Sequence, residues 1–268
     1  MRSSFVVAVL LSAAPLAAQQ PSAGFPAPEN SRGSAQIPYR PIRTDELRAA
    51  GFLTENRELP FGRVLGPVTP EEVHSNQVGA VAMPGTIIGV TPPAGAAYQR
   101  GDTIMLATVV PGSLAWGQIV IPTGLARVTD HNPRQTLATV IKMYAPIHDG
   151  QVTLPVEPAP NPGLVTPVKV EGPTGTVIMG RERTELQQPG SFMFVDLGKA
   201  SGIRIGDFVE IRRRPAPRLN TSDTIDELMA TAQVVHVGDK SSTIKLTRVV
   251  GPAIAPGTPV VRVATLPN

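Results

Sequence analysis

The sequence predicts an all-β protein made of two tandem, small antiparallel β-barrel-like (SH3-like) domains with a short N-terminal helix. The 268 residues include 29 Pro and 25 Gly, a composition that favours short strands and turns over long helices. Short apolar runs follow turn dipeptides, as expected for buried strands. The order of these strand and turn signals also recurs in the two halves of the chain, which indicates an internal duplication.

The start of the chain, MRSSFVVAVLLSAAPLAA (residues 1–18), is typical of a cleaved signal peptide. Arg2 precedes an apolar run from Phe5 to Ala14 that is too short to span a bilayer. A buried N-terminal helix is the alternative. We therefore expect a periplasmic or otherwise exported, secreted protein with no transmembrane segment after signal cleavage.

The rest of the chain divides by composition. Residues 19–40 are polar and rich in Pro, Ser and Gln, which predicts a disordered segment. Residues 41–60 predict a short helical lead-in that Thr44 caps, that Gly51 ends and that docks on the domain after it. The sequence then predicts β domain 1 (61–156), a linker with five prolines (157–173) and β domain 2 (174–268).

The duplication is clearest around two Gly-Asp pairs. An offset of 105 residues places Gly101 and Asp102 on Gly206 and Asp207, and the match continues downstream at an offset of 106. We predict that these four residues form structural turns, in which the carboxylate accepts backbone N–H groups. A catalytic or metal-binding role for the two aspartates is the alternative, as is coincidence between two β segments rich in Gly and Pro.

Polar residues also interrupt the alternation of matched strands. Lys142 breaks the apolar pattern in one half and Arg248 breaks it at the matching place in the other. A β-bulge or a strand end is therefore predicted at both positions.

Motifs for catalysis are not apparent. Cysteine is absent, which excludes disulfides and thiolate chemistry, and neither a phosphate-binding loop nor a nucleophile elbow is found. The dipeptides Asp130-His131 and His148-Asp149 suggest a zinc or copper site, but loop histidines are usually only solvated. We predict no catalytic residues, no metal and no cofactor.

Two surface features are candidates for contact with a partner. The basic residues Arg212, Arg213, Arg214 and Arg218 suggest an anion or partner contact, with a solvated hairpin end as the alternative. Trp116, in the loop PGSLAWGQ, predicts either a partner contact or a plug over a barrel mouth. A net charge of +3 and few aromatic residues argue against nucleic-acid binding.

Two stretches carry a resemblance to a known group of proteins. The phrase VDLGKASGIRIGDFVEIRR resembles an element of the C-terminal domain of the flagellar assembly T protein. The stretch DELRAAGFLTENRELPFGRVLG is similar to the region that joins LysM to two β modules in exported bacterial peptidoglycan-binding proteins. This resemblance implies a peptidoglycan-associated envelope protein with tandem β modules. Since the residues before Thr44 are few and polar, we expect no LysM segment.

These observations favour an exported, non-enzymatic cell-envelope protein that binds another envelope protein or a glycan. One alternative is a structural or assembly subunit of an envelope, secretion or motility apparatus that stacks with copies of itself as a homo-oligomer. The other is a metal-dependent envelope hydrolase.

Overall fold

Strands form nearly all the regular structure of the computed structural model, which describes residues 41–68, 81–131, 135–156, 166–213 and 226–267. Within these residues the helical elements are α1 (Thr44–Ala49) and a 3₁₀ turn at Lys199–Ser201. The predicted all-β class is therefore confirmed. The predicted signal peptide and disordered segment lie outside the described residues, as does much of the predicted linker.

The first sheet is antiparallel and closes on itself. Its seven strands are β1 (Phe52–Leu53), β2 (Gly62–Pro67), β3 (Ile87–Thr91), β4 (Thr103–Pro111), β5 (Gln118–His131), β6 (Thr136–Met143) and β7 (Val152–Pro155). Six of them run in the order β5-β4-β7-β2-β3-β6, and β6 pairs again with β5. Within the described residues this ring, here called the first barrel, leaves no open sheet edge apart from the short β1 strand that pairs with β5.

The second sheet repeats this architecture. Its strands are β8 (Val168–Lys169), β9 (Thr174–Gly180), β10 (Phe192–Val195), β11 (Phe208–Arg213), β12 (Glu227–Val237), β13 (Ser242–Val249) and β14 (Pro259–Thr265). Six of them pair in the order β12-β11-β14-β9-β10-β13, and β13 pairs again with β12. This ring is here called the second barrel. Its strand order is that of the first barrel, strand for strand.

The duplication extends to the register of the strands. Ile88 pairs with Ala138 where β3 meets β6, and at the matched positions Met193 pairs with Ile244 where β10 meets β13. The correspondence also holds along the pairing of β4 with β5 and of β11 with β12. Since a slip of one residue would turn every side chain to the opposite face, a shared register means shared inward-facing positions.

Matched irregularities confirm the prediction made from the two basic residues. The pairing of β5 with β6 shifts register at Ala126, next to Lys142. The pairing of β12 with β13 shifts at the matched Ala232, next to Arg248. A β-bulge therefore lies where each polar residue interrupts the alternation of apolar side chains.

Each barrel encloses its own apolar core. The first core contains Val64, Ile88, Val90, Ile104, Leu106, Val128 and Val140. The second contains Met193, Val195, Val209, Ile211, Val234, Ile244 and Leu246. Burial of each such side chain stabilises the fold by roughly 1.5–3 kcal/mol, so the closed sheets are the main source of stability.

The lead-in before the first barrel differs from its prediction in one respect. Thr44 is the first helical residue and not the cap, so that prediction was wrong. The cap is Arg43, whose backbone N–H donates to the Glu46 carboxylate at 3.1 Å. Because this carboxylate reaches back to the cap, the helix can begin without a hydroxyl there. Gly51 ends the helical segment as predicted, with a φ of 74°.

Candidate functional site

The two predicted Gly-Asp turns form matched corners, each leading into a strand of its barrel. Gly101 and Gly206 have φ values of 97° and 95°, in the left-handed region that favours glycine. The backbone N–H of Gly101 donates to the Val128 carbonyl, and that of Gly206 donates to the Val234 carbonyl, both at 2.8 Å. The same chain geometry is therefore built twice.

The aspartates of both corners bind the backbone. Oδ2 of Asp102 accepts the Gln99 N–H at 2.7 Å, and Oδ2 of Asp207 accepts the Arg204 N–H at 3.0 Å. Each carboxylate thus replaces a backbone acceptor in the turn that precedes the strand. In this arrangement one oxygen of each side chain is committed to the architecture.

The corner of the second barrel is filled by neighbouring side chains. Arg262 donates through Nη1 to the Gly202 carbonyl at 2.8 Å and lies 3.4 Å from Oδ2 of Asp207. The Thr265 hydroxyl donates to Oδ1 of Asp207 at 2.6 Å. Only 1% of the Asp207 side chain is exposed. Both carboxylate oxygens are therefore used within the protein.

The corner of the first barrel is open. Val209 pairs with Arg262 in the second barrel, and at the matched positions Ile104 pairs with Pro155. A proline therefore stands where the second copy has the arginine that fills its corner. Asp102 is exposed, and no ion pair to it is formed within the described residues.

A depression of about 530 Å³ occupies this open corner. It is lined by Arg48, Pro60, Pro93, Ala96, Ala97, Tyr98, Asp102, Thr103, Ile104, Pro155 and Val156. The lining thus combines residues of α1, the lead-in, the loop before β4 and the end of β7. Its volume lies within the roughly 300–1,000 Å³ of sites that hold small ligands.

Two further polar side chains of the lining, Arg48 and Tyr98, stand out beside Asp102. Nε of Arg48 is buried and has no hydrogen-bond partner among the described residues. Tyr98 is buried, and its hydroxyl lies 2.8 Å from that of Thr153. Burial raises the pKa of Tyr98, and the hydrogen bond to Thr153 opposes part of that rise. The phenol is therefore neutral near pH 7 and acts here as a hydrogen-bonding group.

The second barrel has apolar residues in place of this polar pair. Ile203 stands at the position of Tyr98, and Val260 at that of Thr153. Both are buried in the second core. This polar pair is therefore a feature of the first copy and is not required by the fold.

The lead-in forms a junction between the two barrels. Toward the first barrel, Thr54 donates its N–H to the Gln118 carbonyl, and Asn56 donates through its side chain to the Ala115 carbonyl. Toward the second, the Thr243 hydroxyl donates to the Gly51 carbonyl at 2.8 Å. The helix α1 thus docks as predicted, and it packs on residues of the second barrel as well as the first.

Glu55 is the most deeply engaged carboxylate at this junction. Oε1 accepts the N–H of Lys240 at 3.1 Å, and the N–H and hydroxyl of Ser241 at 2.9 and 2.8 Å. Burial alone would raise the pKa of Glu55, but these hydrogen bonds and the charge of Arg57 together lower it. A side chain on Gly238 would place its Cβ 2.3 Å from Oε1, so this approach requires glycine there.

An imidazole lies beside this contact. His236 stacks on Phe52 with 4.9 Å between ring centroids. Burial, with the charges of Lys199 and Arg57, lowers its pKa to about 4, while Glu55 opposes the shift. His236 is therefore neutral at pH 7 and packs as an aromatic ring.

Trp116 also belongs to the junction. It is half-buried and packs against an apolar cluster that includes Leu53, Ile119 and Phe194, residues of the lead-in and of both barrels. Its carbonyl accepts the Glu55 N–H at 3.0 Å. The loop position predicted from the sequence thus brings Trp116 against both barrels, and its role as a contact for another molecule stays a prediction.

The basic run is described only in part. Arg212 donates through Nη2 to Glu210 at 2.5 Å, and Arg213 donates to Glu227 at 2.7 Å. Arg214 and Arg218 lie outside the described residues. Exposed ion pairs of this kind contribute about 0–1 kcal/mol, so the two glutamates bind the two arginines only weakly.

The histidine dipeptides do not form a metal centre in the described part of the chain. Nδ1 of His131 lies 3.2 Å from the Thr136 hydroxyl, and the backbone N–H of His131 donates to Oδ1 of Asp130. The described ranges hold no group of three or more His, Asp or Glu side chains placed to bind a metal ion.

Comparisons with known proteins found no matching protein-family model and no matching curated protein. Among the described residues, no helix has the length and apolar character needed to cross a membrane.

The sequence identified the corners but missed the open site. Arg48 and Tyr98 belong to no motif that the sequence reveals. A position-by-position comparison of the copies contains the signal, because Tyr98 aligns with Ile203 and Pro155 aligns with Arg262. These differences indicate an open corner only once it is known that strands β4 and β7 pair there.

Proposed function

We propose that this protein is an exported, non-enzymatic component of a bacterial cell envelope, built from two related SH3-like barrel modules, that binds another envelope component. The binding site in this proposal is the open corner of the first barrel. The secretory character of residues 1–18 supports export. The resemblance to tandem modules of peptidoglycan-associated proteins supports an envelope partner.

The observation that carries the proposal is the difference between the two copies. Their strands, register and corner turns match, yet Arg262 fills one corner while Pro155 leaves the other open. The filled corner needs only a structural explanation, because the Asp207 carboxylate has its hydrogen-bond and ion-pair partners within the protein. An exposed carboxylate, an arginine that forms no ion pair within the described residues and a concave, mostly apolar lining are instead the ingredients of a binding site.

A binding role also fits the use of the acidic side chains. Glu55 and Asp207 accept backbone N–H groups and hydroxyls, which fixes loops and the junction. His236 packs against Phe52. These groups hold the loops and the junction in place. The surface that the protein offers to a partner is therefore formed before binding.

Co-sedimentation of the protein, without residues 1–18, with purified peptidoglycan and with envelope fractions tests the proposal. We expect the protein to sediment with at least one of them, and Pro155→Arg to abolish this by placing a guanidinium in the corner. The matched control is the double change Arg212→Ala and Arg213→Ala, which leaves the corner intact. No sedimentation with any fraction would refute the proposal; loss only in the control would move the contact to the basic run.

Self-assembly is a second candidate, supported by a different surface. Val68, Ile87 and Ile141 are exposed apolar residues on or beside the neighbouring strands β2, β3 and β6, and Met83 lies in the turn before β3. Exposed apolar groups on neighbouring strands suit contact between protein surfaces. Sedimentation velocity over a concentration series should then reveal oligomers that Ile87→Gln weakens. A monomer at the highest concentration would refute this candidate.

A further inference from the structure

We propose that the open corner of the first barrel binds a short peptide segment that carries both a carboxylate and an ammonium group. This inference rests on the proposed function and specifies the ligand chemistry of the same site. It follows from the charges, the lining and the size of the depression.

The two charged residues at the depression have opposite signs and do not neutralise each other. Arg48 and Asp102 both line it, and neither forms an ion pair with a described residue. In the second barrel the corresponding carboxylate is bound by Arg262 of the same chain. A ligand that complements the open corner must therefore bring its own cation and its own anion.

Arg48 selects the anionic end of the ligand. Its side chain lines the depression, and its charge is balanced by no ion pair within the described residues, so it can pair with an anionic group of a ligand. A planar carboxylate matches the fork of a guanidinium in two parallel hydrogen bonds. Arg48 lies in the last turn of α1, next to the buried Leu47, so the packing of the helix fixes the position of its backbone.

Asp102 selects the cationic end. Oδ2 is committed to the Gln99 N–H, and Oδ1 accepts no hydrogen bond from a described residue. The side chain is exposed, so an ammonium can approach Oδ1 without disturbing the turn. The second copy shows that such a corner accommodates a cation, since Arg262 occupies the equivalent place.

The walls favour a peptide with small aliphatic side chains. The lining also contains Pro60, Pro93, Ala96, Ala97 and Pro155, which offer a small, rigid apolar surface. The one aromatic ring of the lining, Tyr98, is buried and is not available as a platform for stacking a sugar. A volume of about 530 Å³ suits a few small residues and excludes a folded partner.

Isothermal titration of the protein lacking residues 1–18 with three probes tests the proposal. The probes are tri-alanine with free termini, its N-acetylated form and its C-terminal amide. We expect tri-alanine to bind and each blocked form to bind at least tenfold more weakly, because each lacks one of the two charges. Equal binding of all three, or tighter binding of inorganic phosphate than of tri-alanine, would overturn the proposal.

Two variants assign the two ends of the ligand. Arg48→Gln should bind tri-alanine and its amide equally, whereas Asp102→Asn should bind tri-alanine and its acetylated form equally. The asparagine oxygen can still accept the Gln99 N–H, so the turn is retained. Arg248→Gln, an exposed arginine on β13, is the matched control and should bind all probes as the parent does.

The outcomes separate this inference from the proposed function. Co-sedimentation with an envelope fraction, lost in Pro155→Arg but without any binding of tri-alanine at millimolar concentration, would overturn the ligand class and leave the binding role standing. Absence of both would overturn both. If Arg48→Gln still bound tri-alanine more tightly than its C-terminal amide, or Asp102→Asn still bound it more tightly than its acetylated form, the assignment of the two ends would also be overturned.

Discussion

Replacement of Glu55 tests how the lead-in joins the two barrels. Glu55 and Asn56 have φ values of 53° and 58°, and the Arg57 N–H donates to the Thr54 carbonyl at 3.0 Å, which defines a type I′ turn. Left-handed backbone is unfavourable for residues other than glycine by roughly 1–2 kcal/mol. This turn places the Glu55 carboxylate at the loop between β12 and β13, where it accepts hydrogen bonds from Lys240 and Ser241.

The size of the effect depends on the hydrogen bonds that Glu55 accepts. Only 4% of the Glu55 side chain is exposed, and its Oε1 accepts three hydrogen bonds from Lys240 and Ser241. Hydrogen bonds to a charged group contribute about 1.5–3 kcal/mol each, but three on one oxygen do not add fully. We expect Glu55→Ala to lower the free energy of unfolding by about 3 kcal/mol, and Glu55→Gln by about half of that, since a neutral acceptor remains.

Urea denaturation at pH 7 measures these changes. The control is Glu227→Ala, which removes an exposed ion pair with Arg213 and should change the free energy of unfolding by less than about 0.5 kcal/mol. The lowered pKa of Glu55 means that its stabilisation is present above pH 4.5 and is lost as pH falls further. Equal effects of Glu55→Ala and Glu227→Ala would refute the reasoning.

Three further predictions concern other residues of the junction and the two corners. The pKa of His236 is about 4 in the folded protein, against 6.5 in the unfolded chain. Up to about 3 kcal/mol of stability, present above pH 6.5, is therefore lost as the pH falls toward 4. Denaturation of His236→Phe over the same pH range should lack this loss. Gly117→Ala should lower the free energy of unfolding by about 2 kcal/mol, because its φ is 78° and the new Cβ would lie 2.4 Å from Oγ1 of Thr54; a change below about 0.5 kcal/mol in urea would contradict this. Asp207→Asn should lower the free energy of unfolding by about 2 kcal/mol and Asp102→Asn by less than about 1 kcal/mol, since among the described residues side-chain donors reach Asp207 but not Asp102; thermal melts of both variants provide the comparison.

The fold was predictable largely because turn chemistry is local. Gly101 and Gly206 need left-handed backbone, and this need is visible in the sequence at a fixed offset. The full length of strand β5 is not apparent from the sequence, because Pro122 and Gly124 interrupt its apolar run. The structure continues the strand from Gln118 through this point by shifting register opposite β4. Such a bulge depends on the partner strand, which local sequence does not specify.

The candidate site was less predictable, because it depends on contacts between distant residues. Asp102 was predicted to be a turn residue, with a catalytic or metal-binding role as the alternative. Its exposure becomes informative only when Pro155 is known to pair with Ile104. Arg48 reaches the same depression from a helix about fifty residues earlier in the chain. The contact of Glu55 with Ser241 likewise joins residues that are far apart in sequence. Periodicity carries no information about such pairs.

Titration of isotopically labelled protein with tri-alanine, followed by amide NMR, tests most directly whether the two corners differ in function. The account predicts shifts for amides of residues 94–104 in the open corner, and unchanged signals for residues 199–209 in the filled one. Equal shifts in both stretches, or shifts confined to the second, would contradict it.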